Sequence, residues 1–142
     1  IDPAGPHCQC GQRGCIETFV GGAAVAARWG KPSELPVRDV FDAADLGDPF
    51  ASQLRDDLVR AVAAAVRVLV LTTDAGTVML GGGVSALGPR LLDPVVGELT
   101  RGAQGSPFWR SLGLAERLEM LPPGSAAAAL GAALIAEPAT VV

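Results

Sequence analysis

Apolar side chains recur at three- to four-residue spacing over Phe50, Leu54, Leu58, Val62, Val66 and Leu69, the repeat of one face of an α-helix. Asp48-Pro49 just ahead offers an N-cap followed by proline at the first helical position, so the pattern predicts one long helix ending near Thr72 or Thr73. Its Ala-rich second half suits burial against a sheet, with a share of the stripe open to a second subunit. Upstream, residues 15–29 are patterned as a helix broken near Gly21-Gly22, and Gly30 followed by Lys31-Pro32 terminates it. Residues 37–46 give a short amphipathic turn or two. Downstream, the β-prone run Thr77–Leu80 meets Gly81, Gly82 and Gly83 at once, after which Leu87, Leu91, Val95 and Leu99 return to helical spacing. The unit reads strand, glycine loop, helix. A second short strand is predicted within 116–123, and Ser125 caps an Ala-rich helix over 126–136. Strands alternating with helices imply an α/β fold with a parallel sheet. Two short strands leave exposed edges that further strands would normally pair. Phe108 and Trp109 read as a hydrophobic anchor for the connection between the last two units, with a ligand platform as the alternative.

Composition narrows the classes of partner. With 49% apolar and 18% charged residues in 142, the chain can build a packed core of ordinary domain size. A net charge of -4 gives no general attraction to nucleic acid or anionic lipid. Aromatics are 4% and tyrosine is missing, which leaves little for base stacking. The longest apolar run, residues 61–71, is interrupted by Arg67 and too short to span a bilayer. With no signal peptide, a cytoplasmic protein is expected. The opening Ile1-Asp2-Pro3, without methionine, suggests a piece of something longer.

The chemistry is concentrated in "HCQCGQRGC", residues 7–15, which holds all three cysteines of the chain. An odd count argues against a disulfide framework, and Cys8 and Cys10 are too close in sequence to bridge without strain. Structural zinc takes four tetrahedral ligands, and C-x-C-x4-C spacing around Gly11 and Gly14 lets a tight turn aim three thiolates at one point. The fourth ligand stays open. His7 is the only histidine, but neighbours in an extended chain point to opposite sides, which sets it against Cys8. The alternative is that the cysteines are small buried hydrophobes.

"CQCGQRGCIETFVGG", Cys8 to Gly22, resembles the zinc-loop signature C-x-C-G-x2-G-C-x-E of the ROK family of sugar-responsive repressors and sugar kinases. The resemblance implies Cys8, Cys10 and Cys15 as zinc ligands, with the family's fourth ligand a histidine some ten residues before the first cysteine, a position falling before Ile1. It implies Glu17 as the carboxylate that accepts hydrogen bonds from sugar hydroxyls; the alternative from position alone is a first-turn acid complementing a helix dipole. Gly81, Gly82 and Gly83 resemble the family's "lGGGvs" segment on the nucleotide side; pattern alone leaves a plain strand-to-helix turn open.

The implied fold is part of an actin-like, ribonuclease-H-like lobe of the hexokinase type, with few parallel strands and several helices. The chain would be one C-terminal piece of a ROK domain: zinc loop and helix start at 1–22, long helix at 48–73, terminal β-α units at 76–142. The upstream kinase elements that deprotonate the sugar hydroxyl and hold phosphate lie outside this sequence. Where kinases of the family carry a "GDDAGLIGAA"-like segment, this chain has "PPGSAAAALGAA" at 122–133, without an acid. Residues 105–125 resemble actinobacterial repressors of the family. The expected function is therefore the sugar-binding and oligomerisation portion of a transcriptional regulator, reaching DNA through a segment outside this chain. A glucokinase- or N-acetylmannosamine-kinase-type sugar kinase, using ATP and Mg²⁺, is the rival, and a structural zinc module without a ligand site is a third reading. A homodimer or homotetramer is implied by the family.

Overall fold

The structure, a computed structural model, describes residues 1–122 and 124–136. Position 123, at the end of the second predicted strand, and 137–142, the end of the last predicted unit, lie outside the described residues.

Asp48 accepts hydrogen bonds from the amides of Phe50 and Ala51 and so opens the central helix, α4 (Pro49–Thr73). The three shorter helices before it are α1 (Glu17–Val20), α2 (Gly22–Trp29) and α3 (Pro36–Asp45). The predicted break falls between α1 and α2, and Gly30 closes α2 in a left-handed conformation. After α4 come strand β1 (Val78–Leu80), a 3-10 turn over Gly83–Leu87, α5 (Pro89–Ala103), α6 (Pro107–Ser111), β2 (Leu118–Met120) and α7 (Ala127–Ala136). β1 and β2 pair in parallel, Val78 opposite Leu118 and Leu80 opposite Met120. The β-α-β order read from the sequence is thus present, with the two predicted strands pairing in parallel among the described residues.

The core lies around α4, whose Leu54, Leu58, Val62, Val66 and Val70 are buried. Its partners are chiefly α3 and α5, which contribute the buried Val40, Phe41, Leu91, Val95 and Leu99, while β1 touches α4 only lightly. Helix-on-helix burial therefore replaces the expected burial against a sheet, because a two-stranded ribbon is too small to cover a 25-residue helix. The two ends of the predicted stripe are exposed as well. Leu69 faces out, and Phe50 stacks beside Trp29 at the helix entrance, ring centroids 6.2 Å apart. Likewise Trp109 is half-buried against the core while Phe108 is exposed, so only one ring of the pair anchors the connection.

Ion pairs tie the helices together at their margins. Arg28 of α2 bonds Asp57 of α4 and lies over the Phe19 ring of α1. Arg90 of α5 bonds both Asp42 and Asp45 of α3. No helix among the described residues is long and apolar enough to cross a membrane.

Candidate metal centre

Residues 1–16 form a compact loop organised by backbone hydrogen bonds. The amide of Gly14 donates to Pro6 O at 2.8 Å, that of Cys8 to Gln12 O at 2.8 Å, and that of Gly11 to Cys8 O at 3.0 Å. His7 and Arg13 form an antiparallel bridge across the turn. Gly14 is indispensable to this arrangement: its φ is +62°, and a Cβ there would stand 1.6 Å from Asp2 O. The loop then feeds α1, where buried Thr18 donates through its hydroxyl to Cys15 O at 2.7 Å, pinning the third cysteine to the first helical turn.

The three sulfurs converge. All lie within 4.8 Å of one another, and Cys10 Sγ is 3.5 Å from Cys15 Sγ. Thiolates about 2.3 Å from a tetrahedral zinc stand about 3.8 Å apart, so the loop presents three corners of such a site with little movement. Cys10 is exposed and Cys8 and Cys15 are half-buried, which rules out the alternative of small buried hydrophobes. Among the described residues no histidine, aspartate or glutamate joins the three; His7 sits exposed on the bridge strand. The donor set is soft and suits zinc better than a hard cation.

The thiols are not equivalent. A hydrogen bond from the Gln12 backbone, then those from Cys15 and Cys8, hold Cys10 below the usual thiol range. Sharing with Cys10, and then Cys8, pushes Cys15 up to about 11. Cys10 is therefore the more acidic thiol of the pair and Cys15 the less acidic, and a divalent ion binding to them would displace their protons.

Glu17 follows Cys15 by two residues, exposed in the first turn of α1. Its carboxylate folds back over Gly21: a Cβ on Gly21 would stand 2.0 Å from Glu17 Oε1. Gly21 is the N-cap of α2, so the carboxylate lies beside the positive end of that helix. Both readings of Glu17 from sequence, dipole partner and presented acceptor, are compatible with this one position.

Of the glycine triplet, Gly83 lines a groove of about 600 Å³ shared with Gly22, Leu35, Val37, Leu87 and Arg90. Gly82 makes the turn with φ +79°. Gly81 admits Leu121, whose Cδ1 would be 2.8 Å from a Cβ there. The structure thus brings Gly83 and the α2 entrance to one groove and leaves the thiols on a separate loop. Sequence marks Gly21 only as a helix break, not as the neighbour of the Glu17 carboxylate; no motif marks Thr18 or the Arg28–Asp57 pair, and only the burial of Thr18 beneath Cys15 identifies it.

A parallel β-α-β pair, a long central helix and a three-thiol loop define part of an actin-like α/β lobe. The chain belongs to the ROK family, whose family model matches residues 1–139. A glucokinase of Thermotoga maritima is 32% identical over 111 residues, covering 67% of this chain and 35% of the relative. The ROK hexokinase of Thermus thermophilus superposes with a TM-score of 0.72 at 32% identity, over 94% of this chain and 45% of that one. A ROK family transcriptional regulator, homologous to the E. coli MLC protein, superposes with a TM-score of 0.56 at 27% identity, over 84% of this chain and 32% of that one. The chain spans about a third of the length of the glucokinase it matches.

Proposed function

We propose that this chain is the sugar-effector-binding and oligomerisation portion of a ROK transcriptional regulator, with Cys8, Cys10 and Cys15 holding a structural zinc and Glu17 contacting the sugar. One observation carries the reading. Three converging thiols end two residues before Glu17, so an ion clamping the loop would fix the start of the helix that presents the carboxylate. A fourth ligand would come from outside the three thiols. The ion's part is structural: it supplies a rigid corner, and the chain's own residues do the recognition.

Within that arrangement Glu17 accepts from one or two neighbouring hydroxyls of a small sugar. Gly21, lacking a side chain, leaves the carboxylate its place. Binding that favours one arrangement of the protein's parts over another would shift its affinity for DNA, contacted through a segment outside this chain. A homodimer or homotetramer is the assembly proposed, and the terminal β-α units (76–142) complete the lobe carrying loop 1–22 and helix 48–73. The acid-free segment at 122–133 favours a sensor over an enzyme.

Likeness to a glucokinase and a hexokinase favours a second reading, a sugar kinase in which Gly81 to Gly83 border ATP and Mg²⁺ serves the phosphates. The two separate on one experiment with the natural full-length protein: titration of a panel of hexoses and N-acetylhexosamines by calorimetry, alongside coupled detection of ADP release with ATP and Mg²⁺. The regulator reading expects saturable sugar binding without ADP release. Sugar-dependent ADP release overturns it in favour of the kinase, and no binding by any sugar overturns both.

A further inference from the structure

We infer that Cys10 and Cys15 form an oxidisable dithiol, a site at which a hydroperoxide converts the loop from a metal-holding state to a disulfide-locked one. The zinc reading above supplies the metal; the dithiol chemistry stands on the sulfur geometry alone.

The two sulfurs are already 3.5 Å apart, and a disulfide needs them at about 2.05 Å. The remaining approach falls on one side of the loop. Cys15 is fixed by Thr18 beneath it and by Gly14, wedged against Asp2 O. Cys10 sits exposed in the turn before Gly11, around whose Cα nothing lies within reach of a Cβ. The partner with open space beside it is thus the exposed one, where an oxidant arrives first. Cys8 is set apart by sequence, since a bridge to Cys10 two residues away is strained.

The step balances without further reagents. Cys10 sulfur attacks a peroxide oxygen; an S–O bond forms, the O–O bond breaks and hydroxide leaves, taking a proton to become water. Cys15 sulfur then attacks the sulfenic sulfur; the S–S bond forms, the S–O bond breaks, and a second water leaves with the Cys15 proton. Two electrons pass from the thiols to the peroxide. Cys8 remains a free thiol, and one thiolate cannot retain a zinc that three held.

The test is a hydrogen peroxide titration of the natural full-length protein, metal-loaded and metal-stripped in parallel, followed by intact mass, peptide mapping and a chromogenic zinc chelator. Trypsin cleaves after Arg13, so Cys10 and Cys15 leave on separate peptides unless a disulfide joins them, and fragmentation tells Cys10 from Cys8. The expected result is loss of two hydrogens, a Cys10–Cys15 linked peptide, reversal by dithiothreitol, and zinc release in step with the disulfide. Cys8→Ser keeps the linked peptide and Cys10→Ser abolishes it; the wild-type map decides the matter should either variant fail to fold. Oxidation ending in sulfinic acid, in links between chains, or in a Cys8 bridge overturns the inference. A Cys10–Cys15 disulfide in a protein that never binds zinc upholds it while removing the metal from the proposed function.

Discussion

At the level of single residues, the cysteine spacing is legible in the sequence because ligand convergence within eight positions needs only a turn, and Gly11 and Gly14 announce one. What spacing could not disclose is how the turn is held. Asp2 closes over Gly14 and Thr18 reaches back to Cys15, contacts between residue types common in any sequence. Gly21 offers the sharper test of Glu17. Its φ is -63°, which alanine adopts, and the atoms a Cβ would meet all belong to Glu17: the carboxylate Oε1 at 2.0 Å and the backbone carbonyl oxygen at 2.8 Å. Gly21→Ala should therefore displace the carboxylate and shift the α1–α2 junction slightly, leaving the zinc content unchanged yet weakening sugar binding several-fold in calorimetry. Glu17→Gln should weaken it about tenfold or more, as expected when a charged hydrogen-bond partner is neutralised. Equal affinity in Gly21→Ala and wild type would separate Glu17 from the sugar.

At the level of elements, helix periods and stop signals carried most of the layout: α4 with its Asp48 cap, the break at Gly21, and the strand running into glycine are all where the pattern put them. The misread parts are those that depend on neighbours. Which turns of α4 are buried is decided by α3 and α5, and these leave Leu69 outside despite its place in the repeat. Leu58, fully buried at the centre of α4, should cost about 2–5 kcal/mol when cut to alanine, read as a lower denaturant midpoint with an unchanged slope. The cap gives a pH test. Asp48 is held below its ordinary value chiefly by the hydrogen bond from the Ala51 amide, with Lys31 and Phe50 adding to it. Its folded value is the lower one, so its contribution to stability is present above the unfolded value and fades as pH falls through the folded value. Asp48→Asn, which keeps an acceptor at the cap, should flatten that part of the acid limb in thermal melts; an unchanged limb would show that the cap carries no linked proton.

At the level of the whole molecule, family membership fixes the lobe but leaves open whether it serves a sensor or an enzyme, because glucokinase, hexokinase and regulator all resemble the same stretch. Two strands and a helical core suffice to carry both the thiol loop and the groove lined by Gly83 and Gly22. The loop is the feature that both functional readings require. Metal analysis with zinc-edge X-ray absorption on the natural full-length protein tests it most directly. The account expects about one zinc per chain with three sulfurs at about 2.3 Å and one lighter ligand, lost in Cys10→Ser. Zinc-free protein, or zinc bound through nitrogen and oxygen alone, would contradict it.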